Sequence, residues 1–477
     1  MIITGLALGT LLGAVLQRGR FCVTGFLRDI YLRRTFRPFV ALLVVISVQA
    51  LGVQLLTSMG FIQPEFDPFA PVAVIVGSLL FGIGIVLAGG CASGTWYRAG
   101  EGLVGSWIAL IAYALSAAAM KTGALRGLND WGRSLQTEHV SIAEDFNIAT
   151  WVLALGLSVV TAVLVWHYCS TTTQQPTRAV RTDTPRLTRV LSAPIPVYRA
   201  AVLVGLIGVV AWPLSAAAGR NDGLGITGPS KNVMNYLVTG DSAFLDWGAL
   251  LVLGILLGSI IAASLSGEFR VRVPDGRTAV ASLAGGVLMG VGASWAGGCT
   301  VGNGMVQTSL FSYQGWVALL FTTLGVWLAA KFYLTSPTQQ APATSGDSLP
   351  ATSERLSAPL VDAGHGQVAL ATRPAPRFTA VDVGLRAATS TRTVESIGEG
   401  HYALDSRGDV CPFPLLKLKN AVAELHTGDQ ITITFDCTQA TDAIPAWAAE
   451  NGHSVLDFVQ RRAAEWEITL HVGAPKA

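Results

Sequence analysis

A motif of two glycines followed by a cysteine occurs twice in the chain, each time at the end of an apolar segment. The first copy lies in FGIGIVLAGGCASG (residues 81–94) and the second in MGVGASWAGGCTVG (residues 289–302). Seven positions match, namely Gly82, Gly84, Ala88, Gly89, Gly90, Cys91 and Gly94 with Gly290, Gly292, Ala296, Gly297, Gly298, Cys299 and Gly302. This match, with the cysteines in register, indicates an internal duplication.

The residue types of this motif are suited to binding an anion. Glycines permit tight turns and close approach of the backbone, and helix ends direct N–H groups and a positive dipole at a bound anion. Plain helix packing through small residues would explain either glycine run alone. Because it does not explain the repeated cysteine, we predict that the substrate is bound by Gly89, Gly90, Cys91, Gly297, Gly298 and Cys299.

A further cysteine, Cys22, lies in QRGRFCVTGFLRD, just after Arg18 and Arg20 at the end of the first apolar segment. An isolated cysteine in a membrane segment is ordinarily a small buried hydrophobe, and this stays the alternative to a binding role. No CxxC or His-rich spacing supports a metal site, so none is predicted. Of the six cysteines in the chain, Cys169 is interpreted as incidental.

A second kind of cysteine chemistry is indicated by DSRGDVCPFPLLKLKNAV near the C-terminus. Cys411 precedes Pro412, and proline is favoured at the first position of a helix. A thiol at the positive end of a helix dipole has a lowered pKa and is available as a nucleophile. Pro412 and Pro414 are predicted to support this helix N-terminus, and Lys417 and Lys419 to add positive charge. The alternative, a cysteine used as an ordinary cap, is disfavoured because cysteine caps poorly.

Two points remain, one on Cys437 and one on disulfides. Cys437, in FDCTQATD, is interpreted as a structural residue. A disulfide on the cytoplasmic side of a membrane would be unexpected, because cytosolic reductants keep thiols reduced.

Membrane helices must position Cys22, Cys91 and Cys299. The chain has 477 residues, of which 51% are hydrophobic and only 13% charged, and this composition excludes an ordinary soluble protein. A bilayer is crossed by about 20 apolar residues, and nine such runs occur, at 2–17, 38–57, 71–90, 103–120, 148–168, 200–218, 247–265, 279–297 and 315–334. No basic residue precedes the first run, which favours a retained helix over a cleaved signal peptide.

Arginine placement predicts how these helices are oriented, since basic loops stay in the cytoplasm. Three loops, after spans one, five and seven, hold clusters of arginine: Arg18, Arg20, Arg28, Arg33, Arg34 and Arg37; Arg178, Arg181, Arg186, Arg189 and Arg199; and Arg270, Arg272 and Arg277. The N-terminus is then periplasmic and the C-terminus cytoplasmic. The two Gly-Gly-Cys copies fall in spans three and eight, so we predict inverted repeats with broken or re-entrant short helices.

Beyond the last span the composition changes twice. Residues 336–399 are rich in Pro, Ser, Thr and Ala and are predicted to form a flexible linker between a membrane domain at 1–335 and a soluble domain at 400–477. In the soluble domain, alternating apolar residues predict strands and helical spacing predicts helices, in the order β-α-β-α-β-β. The fold class is therefore a helical membrane protein joined to a two-layer α/β domain.

The motifs quoted above carry a resemblance to two known families. Through GRFCVTGFLRD, AGGCASG and AGGCTVGNG the membrane part resembles the YeeE/YedE family of thiosulfate transporters. The last 75 or so residues are similar to TusA-like sulfur carriers through Asp405, Gly408 and the Cys411-Pro412-Phe413-Pro414 quartet. One departure is Val410, since many sulfur carriers have a basic residue before the cysteine.

This resemblance implies uptake of thiosulfate across the bacterial inner membrane along a path lined by Cys22, Cys91 and Cys299. A fixed Lys or Arg would hold the anion strongly and release it slowly, whereas thiols are weak donors. Cys411 would then accept the sulfur for cytoplasmic acceptor enzymes, and neither a cofactor nor a nucleic-acid partner is expected. The alternatives are transport of another sulfur or selenium anion, or a membrane-anchored sulfurtransferase.

Overall fold

The computed structural model describes residues 2–66, 68–170, 193–334, 395–398, 400–409 and 411–474. Three subjects of the sequence analysis lie outside these residues: most of the linker, the arginines at 178, 181, 186 and 189, and Val410. The residues up to 334 form the helical domain, and those from 395 form the C-terminal domain.

In the described residues, nine helices are long and apolar enough to cross a membrane, as the sequence predicts. The long helices of these spans are α1 (Ile3–Gly19), α3 (Arg37–Ser58), α4 (Pro71–Leu87), α6 (Val104–Lys121), α9 (Thr150–Ser170), α10 (Val197–Ala216), α12 (Trp247–Ser266), α13 (Gly276–Trp295) and α14 (Tyr313–Ala329), which continues as a π-helix at Ala330–Leu334. The first span extends from Ile3 to Leu32 and the third from Pro71 to Gly100, so each includes the short helix that follows.

Shorter helices follow the segments that hold the cysteines. α2 (Val23–Leu32) follows Cys22, α5 (Ala92–Gly100) follows Cys91, and a six-residue π-helix, Gly302–Gln307, follows Cys299. The other short helices are α7 (Arg126–Gly132), α8 (Ile142–Asp145), α11 (Thr227–Thr239) and a 3-10 turn at Ser242–Phe244. Each Gly-Gly-Cys copy thus connects one long helix to one short helix.

Glycines set the contact between α4 and α13, the long helices of the two copies. A Cβ added to Gly77 would lie 2.7 Å from the carbonyl oxygen of Gly292, and one added to Gly84 would lie 2.8 Å from that of Gly285. The contacts pair in opposite order along the chain, so α4 and α13 run antiparallel. Their direction agrees with the inverted duplication that the sequence predicts.

The C-terminal domain is a five-stranded sheet in the order β1-β2-β3-β5-β4 with two helices. Its elements are β1 (Glu395–Gly398), β2 (His401–Ser406), α15 (Phe413–Ala423), β3 (Gln430–Phe435), α16 (Ala440–Glu450), β4 (Ser454–Arg462) and β5 (Glu465–His471). Only β2 and β3 pair in parallel. The predicted order β-α-β-α-β-β is confirmed from β2 onward, whereas β1 lies in residues predicted as linker.

The C-terminal domain packs on one side of the helical domain, which we call the docked face. Arg33 Nη2 lies 2.8 Å from Glu450 Oε1, and Arg270 Nη1 lies 3.3 Å from Glu465 Oε2. The ring of Phe413 meets that of Tyr333 at 6.3 Å. Ion pairs and an aromatic contact therefore fix the domain beneath the ends of the long helices.

Candidate functional site

The first Gly-Gly-Cys copy forms a turn at residues 89–91, which we call the first turn. Gly89 adopts a φ of 71°, a left-handed conformation that favours glycine. Cys91 is fully buried and stands at the N-cap of α5. From the last turn of α5, the Arg98 guanidinium reaches back and donates a hydrogen bond to the carbonyl of Gly89. The charged side chain therefore holds the turn from the helix that the turn begins.

The structure brings Cys22 and Cys91 together. Their thiols lie close enough to interact, although α2 and α5 belong to different spans. Arg98 Nη2 lies 3.6 Å from Cys22 Sγ. A Cβ added to Gly94 would lie 3.3 Å from Cys91 Sγ and 4.0 Å from Cys22 Sγ, so this glycine leaves open the space beside both sulfurs.

The second Gly-Gly-Cys copy forms the second turn, at residues 297–299. Gly297 has a φ of 80°, and Cys299 is buried. The Asn303 amide donates to the carbonyls of Ala296 at 2.8 Å and Gly298 at 3.2 Å, and it accepts from Gln314 at 3.0 Å. Amides therefore bond to this turn directly, and the Arg133 guanidinium lies beside it and donates to the Trp295 carbonyl at 2.9 Å.

Tyr113 of α6 connects the two turns. It is fully buried, it interacts electrostatically with both Cys91 and Cys299, and its hydroxyl donates to Thr227 Oγ1 at 2.8 Å. The predicted substrate residues thus form two clusters, one with Cys22 and Cys91 and one with Cys299. Their role in binding stays a prediction.

A buried charged network beside the first turn was not found by sequence reasoning. The Gln17 amide donates to Glu268 at 2.7 Å and to Glu101 at 3.2 Å. Arg18 and Arg20 pair with the same Glu268 carboxylate at 3.2 and 3.0 Å. The two arginines had been interpreted as loop residues because charges next to an apolar run ordinarily face water. No local sequence signal distinguishes these buried charges from solvated ones.

Arg98 also departs from the expectation that the path would contain weak donors alone. It lies one to two turns after Cys91 in the quoted stretch AGGCASGTWYRAG, so a helix projection could have placed it on the cysteine side. Its charge is shared between the Gly89 carbonyl and the Cys22 thiol, and it also interacts with Glu101.

A segment of the C-terminal domain enters the docked face beside these groups. The Thr438 hydroxyl donates to Glu101 at 3.3 Å, and the Gln439 amide donates to the Tyr97 hydroxyl at 3.3 Å. Gln439 also lies close to Cys22. Residues of the C-terminal domain therefore complete the surroundings of Cys22.

Cys411 and Cys437 are joined by a disulfide, with their Cα atoms 6.2 Å apart. The sequence analysis predicts a nucleophilic thiol at Cys411 and interprets Cys437 as structural, and it treats a cytoplasmic disulfide as unexpected because cytosolic reductants keep thiols reduced. Pro412 occupies the N-cap of α15, one residue before the first helical position expected for it, and Pro414 lies in the first turn; their support of the helix start stays a prediction. The described cysteines that remain thiols are Cys22, Cys91, Cys169 and Cys299.

The two lysines that were predicted to add positive charge near Cys411 are bonded to other groups. Lys417 pairs with Asp409 at 2.6 Å, and Lys419 donates to the Leu32 carbonyl at 3.3 Å, so both ammonium groups have partners elsewhere. Burial lowers the pKa of Lys419. Asp436, next to Cys437, accepts from the Gly408 N–H at 2.9 Å, and burial raises the pKa of its carboxyl against this bond and the charge of Arg272.

A cavity connects the two sites across the docked face. At one end it is lined by Gly89 and Arg98, and at the other by Cys411, Cys437 and Gln439. The first turn and the two C-terminal cysteines therefore face a common space.

Two family models match separate parts of the chain. The family model described as sulphur transport matches residues 18–328, and the model described as sulfurtransferase TusA matches residues 402–472. The chain is similar to proteins named thiosulfate transporter TsuA. It is 48% identical to that of Escherichia coli (strain K12) over 345 residues, which is 72% of this chain and 97% of the relative.

Two further relatives cover the same parts. TsuA of Spirochaeta thermophila is 32% identical over 345 residues, 69% of this chain and 98% of the relative. TsuB of Escherichia coli (strain K12), whose name describes a sulfur carrier, is 55% identical over 67 residues, 14% of this chain and 89% of the relative. With nine helices of bilayer length among the residues that the structure describes, and with its transporter relatives, the chain is a multi-pass membrane protein.

Proposed function

The chain belongs to the sulphur transport family, and we propose that it carries thiosulfate across the bacterial inner membrane and delivers the sulfur to its own C-terminal domain. The observation that carries this proposal is the cavity between the first turn and Cys411. A substrate that leaves the helical domain beside Gly89 and Arg98 emerges directly at the two C-terminal cysteines. The relatives named for thiosulfate transport and for sulfur carriage support the same pairing.

The path runs from Cys299 past Tyr113 to Cys91 and Cys22. Thiosulfate is a divalent anion with oxygen atoms at one end and a soft sulfur at the other. Weakly donating thiols can contact the soft sulfur in succession. The N–H groups of Gly89 and Gly297 already donate to Val86 and Ser294, so the backbone N–H groups of Gly90 and Gly298 serve the oxygens while Gly89 and Gly297 shape the turns. Contacts that are weak and several in number allow an ion both to enter and to leave.

Arg98 gives the docked end of the path its positive charge. Because its guanidinium already serves the Gly89 carbonyl and the Cys22 thiol, part of its hydrogen-bonding capacity is used before an anion arrives. An arginine with these partners attracts the anion without the full strength of an unshared charge. Transfer of the sulfur to Cys411 then removes the bound anion and makes uptake directional.

The docked face is cytoplasmic in this proposal, and the N-terminus is periplasmic. Arg20, Arg33, Arg270 and Arg272 all contact the C-terminal domain, and basic residues near helix ends stay in the cytoplasm. An odd number of spans puts the chain start on the opposite side of the lipid bilayer. Cytoplasmic sulfur-acceptor enzymes would receive the sulfur from the C-terminal domain.

Growth on thiosulfate tests this function. A bacterium without other sulfur uptake systems should grow on thiosulfate with the wild-type chain and fail with Cys91→Ala, whereas Cys169→Ala serves as a matched control because Cys169 is exposed. Uptake of labelled thiosulfate and labelled selenite should show preference for thiosulfate. Normal growth of the Cys91→Ala variant would contradict the path, and would favour a sulfurtransferase that the helices merely anchor.

A further inference from the structure

Cys437 has no assigned role in the chemistry described so far. We propose that it is a second catalytic cysteine, which releases the sulfur held on Cys411 as hydrosulfide. This inference rests on the proposed function, because it needs sulfur from thiosulfate to reach Cys411 first.

The geometry places Cys437 within reach of the reacting atom. Its sulfur is bonded to that of Cys411, so it can contact the sulfur that would carry a transferred atom. Both residues line the cavity below the first turn. Cys437 is only 7% exposed, so the reaction takes place under the helical domain rather than in open solvent.

Docking fixes the position of Cys437. The next two residues, Thr438 and Gln439, bind Glu101 and Tyr97 of the helical domain, and Arg272 donates to the carbonyl of Asp436 just before it. Contacts on both sides of the cysteine therefore come from the helical domain. A cysteine that served only the inner packing of the C-terminal domain would not need them.

Both cysteines stand just ahead of helices of sufficient length to exert a dipole. α15 begins two residues after Cys411, and the N–H of Ala440, the first residue of α16, donates to the Cys437 carbonyl at 3.0 Å. Positive helix ends stabilise thiolates. Two thiols that share this environment can serve as a nucleophile and a resolving partner.

The reaction has two balanced steps. In the first, the Cys411 thiolate attacks the outer sulfur of thiosulfate, a sulfur–sulfur bond forms on Cys411, and the bond to the sulfonate sulfur breaks so that sulfite leaves with the electron pair. In the second, the Cys437 thiolate attacks the inner sulfur of the Cys411 persulfide. The new bond is the Cys411–Cys437 disulfide, and the outer sulfur leaves as hydrosulfide with the electron pair of the broken bond.

The second step moves electrons only among sulfur atoms that are already bound to the protein. The two cysteine sulfurs are oxidised to the disulfide, and the outer sulfur is reduced to hydrosulfide. A dithiol reductant of the cytoplasm must then return the pair to thiols by thiol–disulfide exchange. Cys411 and Cys437 are close enough to form this disulfide, with their Cα atoms 6.2 Å apart.

A single-turnover experiment on the full chain tests the proposal. Purified protein is reduced with dithiothreitol, freed of reductant without oxygen, and mixed with thiosulfate, and then sulfite, sulfide and the protein mass are measured. The wild type should release equal amounts of sulfite and sulfide and end as the disulfide. Cys437→Ser should release sulfite as before, keep the persulfide, and release at least about tenfold less sulfide.

The controls distinguish failure of the role proposed for Cys437 from failure of sulfur transfer to Cys411. Cys169→Ser should behave like the wild type, and Cys411→Ser should release neither product. Sulfite release by Cys437→Ser shows that the variant is folded and that Cys411 is active. If Cys437→Ser releases neither sulfite nor sulfide, the measurement is made with Cys437→Ala instead. Sulfide release by both Cys437 variants at the wild-type rate, or a wild type that keeps the persulfide, overturns the role of Cys437. A wild type that releases no sulfite overturns sulfur capture itself.

Discussion

The two Gly-Gly-Cys turns share a backbone and differ in the side chains around it. Gly89 and Gly297 adopt similar left-handed conformations, and Cys91 and Cys299 are both buried. At the first turn the supporting group is the Arg98 guanidinium, and a second thiol, Cys22, lies beside the cysteine. At the second turn the support comes from amides, chiefly that of Asn303.

This difference shows how the two copies of a duplicated backbone turn can acquire different roles. The shared glycines build the same turn twice, because a left-handed residue is needed wherever the chain turns in this way. The side chains that follow each turn then set its charge. At the first turn the Arg98 guanidinium bonds to the turn carbonyl and to a thiol, which suits transfer to the C-terminal domain. At the second turn the Arg133 guanidinium bonds to the Trp295 carbonyl and amides bond to the turn itself, which suits passage of the anion without strong binding.

Removal of the Cys91 or the Cys299 thiol is expected to have the largest effect of the changes that compare the two turns. We expect Cys91→Ala and Cys299→Ala each to lower the rate of thiosulfate uptake at least about tenfold, or about 1.4 kcal/mol, because both contact the same anion in succession. Uptake of labelled thiosulfate into vesicles with equal amounts of each variant measures this. A large loss in Cys91→Ala with none in Cys299→Ala would mean that the second turn is only a scaffold.

Replacement of the supporting groups should distinguish the two turns. Arg98→Gln removes a buried charged donor, and hydrogen bonds of this kind are worth about 1.5–3 kcal/mol. Asn303→Ala removes neutral bonds worth about 0.5–1.5 kcal/mol each. Thermal unfolding of the purified variants should therefore show the larger loss of stability for Arg98→Gln, and equal losses would contradict the proposed asymmetry.

A pair of glycine substitutions compares the space around the turns. Gly89→Ala and Gly297→Ala both place a side chain at positive φ, which costs about 1–2 kcal/mol. At Gly297 the added Cβ would also lie 2.7 Å from Gln314 Nε2 and 2.8 Å from Arg133 Nη1, whereas at Gly89 the nearest atom is Arg98 Nη1 at 3.9 Å. Gly297→Ala should thus have the lower unfolding temperature; the reverse order would show that the second turn can relax.

The smallest effect is expected away from both turns. Arg33 pairs with Glu450 at the edge of the docked face, where the glutamate side chain is 36% exposed. An ion pair with an exposed partner contributes less than about 1 kcal/mol, and Arg33 would keep its pair with Asp29 at 3.2 Å, so Glu450→Ala should change both stability and uptake little. A large loss of uptake in this variant, with stability kept, would show that the position of the C-terminal domain limits transport more than either turn does.

Particular residues show why parts of the structure could be predicted. The nine long helices were found because each is an apolar run of bilayer length, and β3 because its buried residues alternate. β1 was missed because all of its residues are exposed, so no apolar alternation identifies it. Arg18, Arg20 and Glu101 were missed as a network because a charge beside an apolar run has the same pattern whether it is solvated or buried.

By itself the sequence determined the duplication, the opposite direction of its two copies, and the position of Cys411 ahead of a helix, since each of these depends on order and spacing along the chain. Only the tertiary structure decided that Cys22 lies against Cys91, that Cys437 bonds to Cys411, and that Gln439 reaches the first turn. These contacts join residues from separate helices and from two domains. Packing of whole elements sets such distances, and local periodicity carries no information about them.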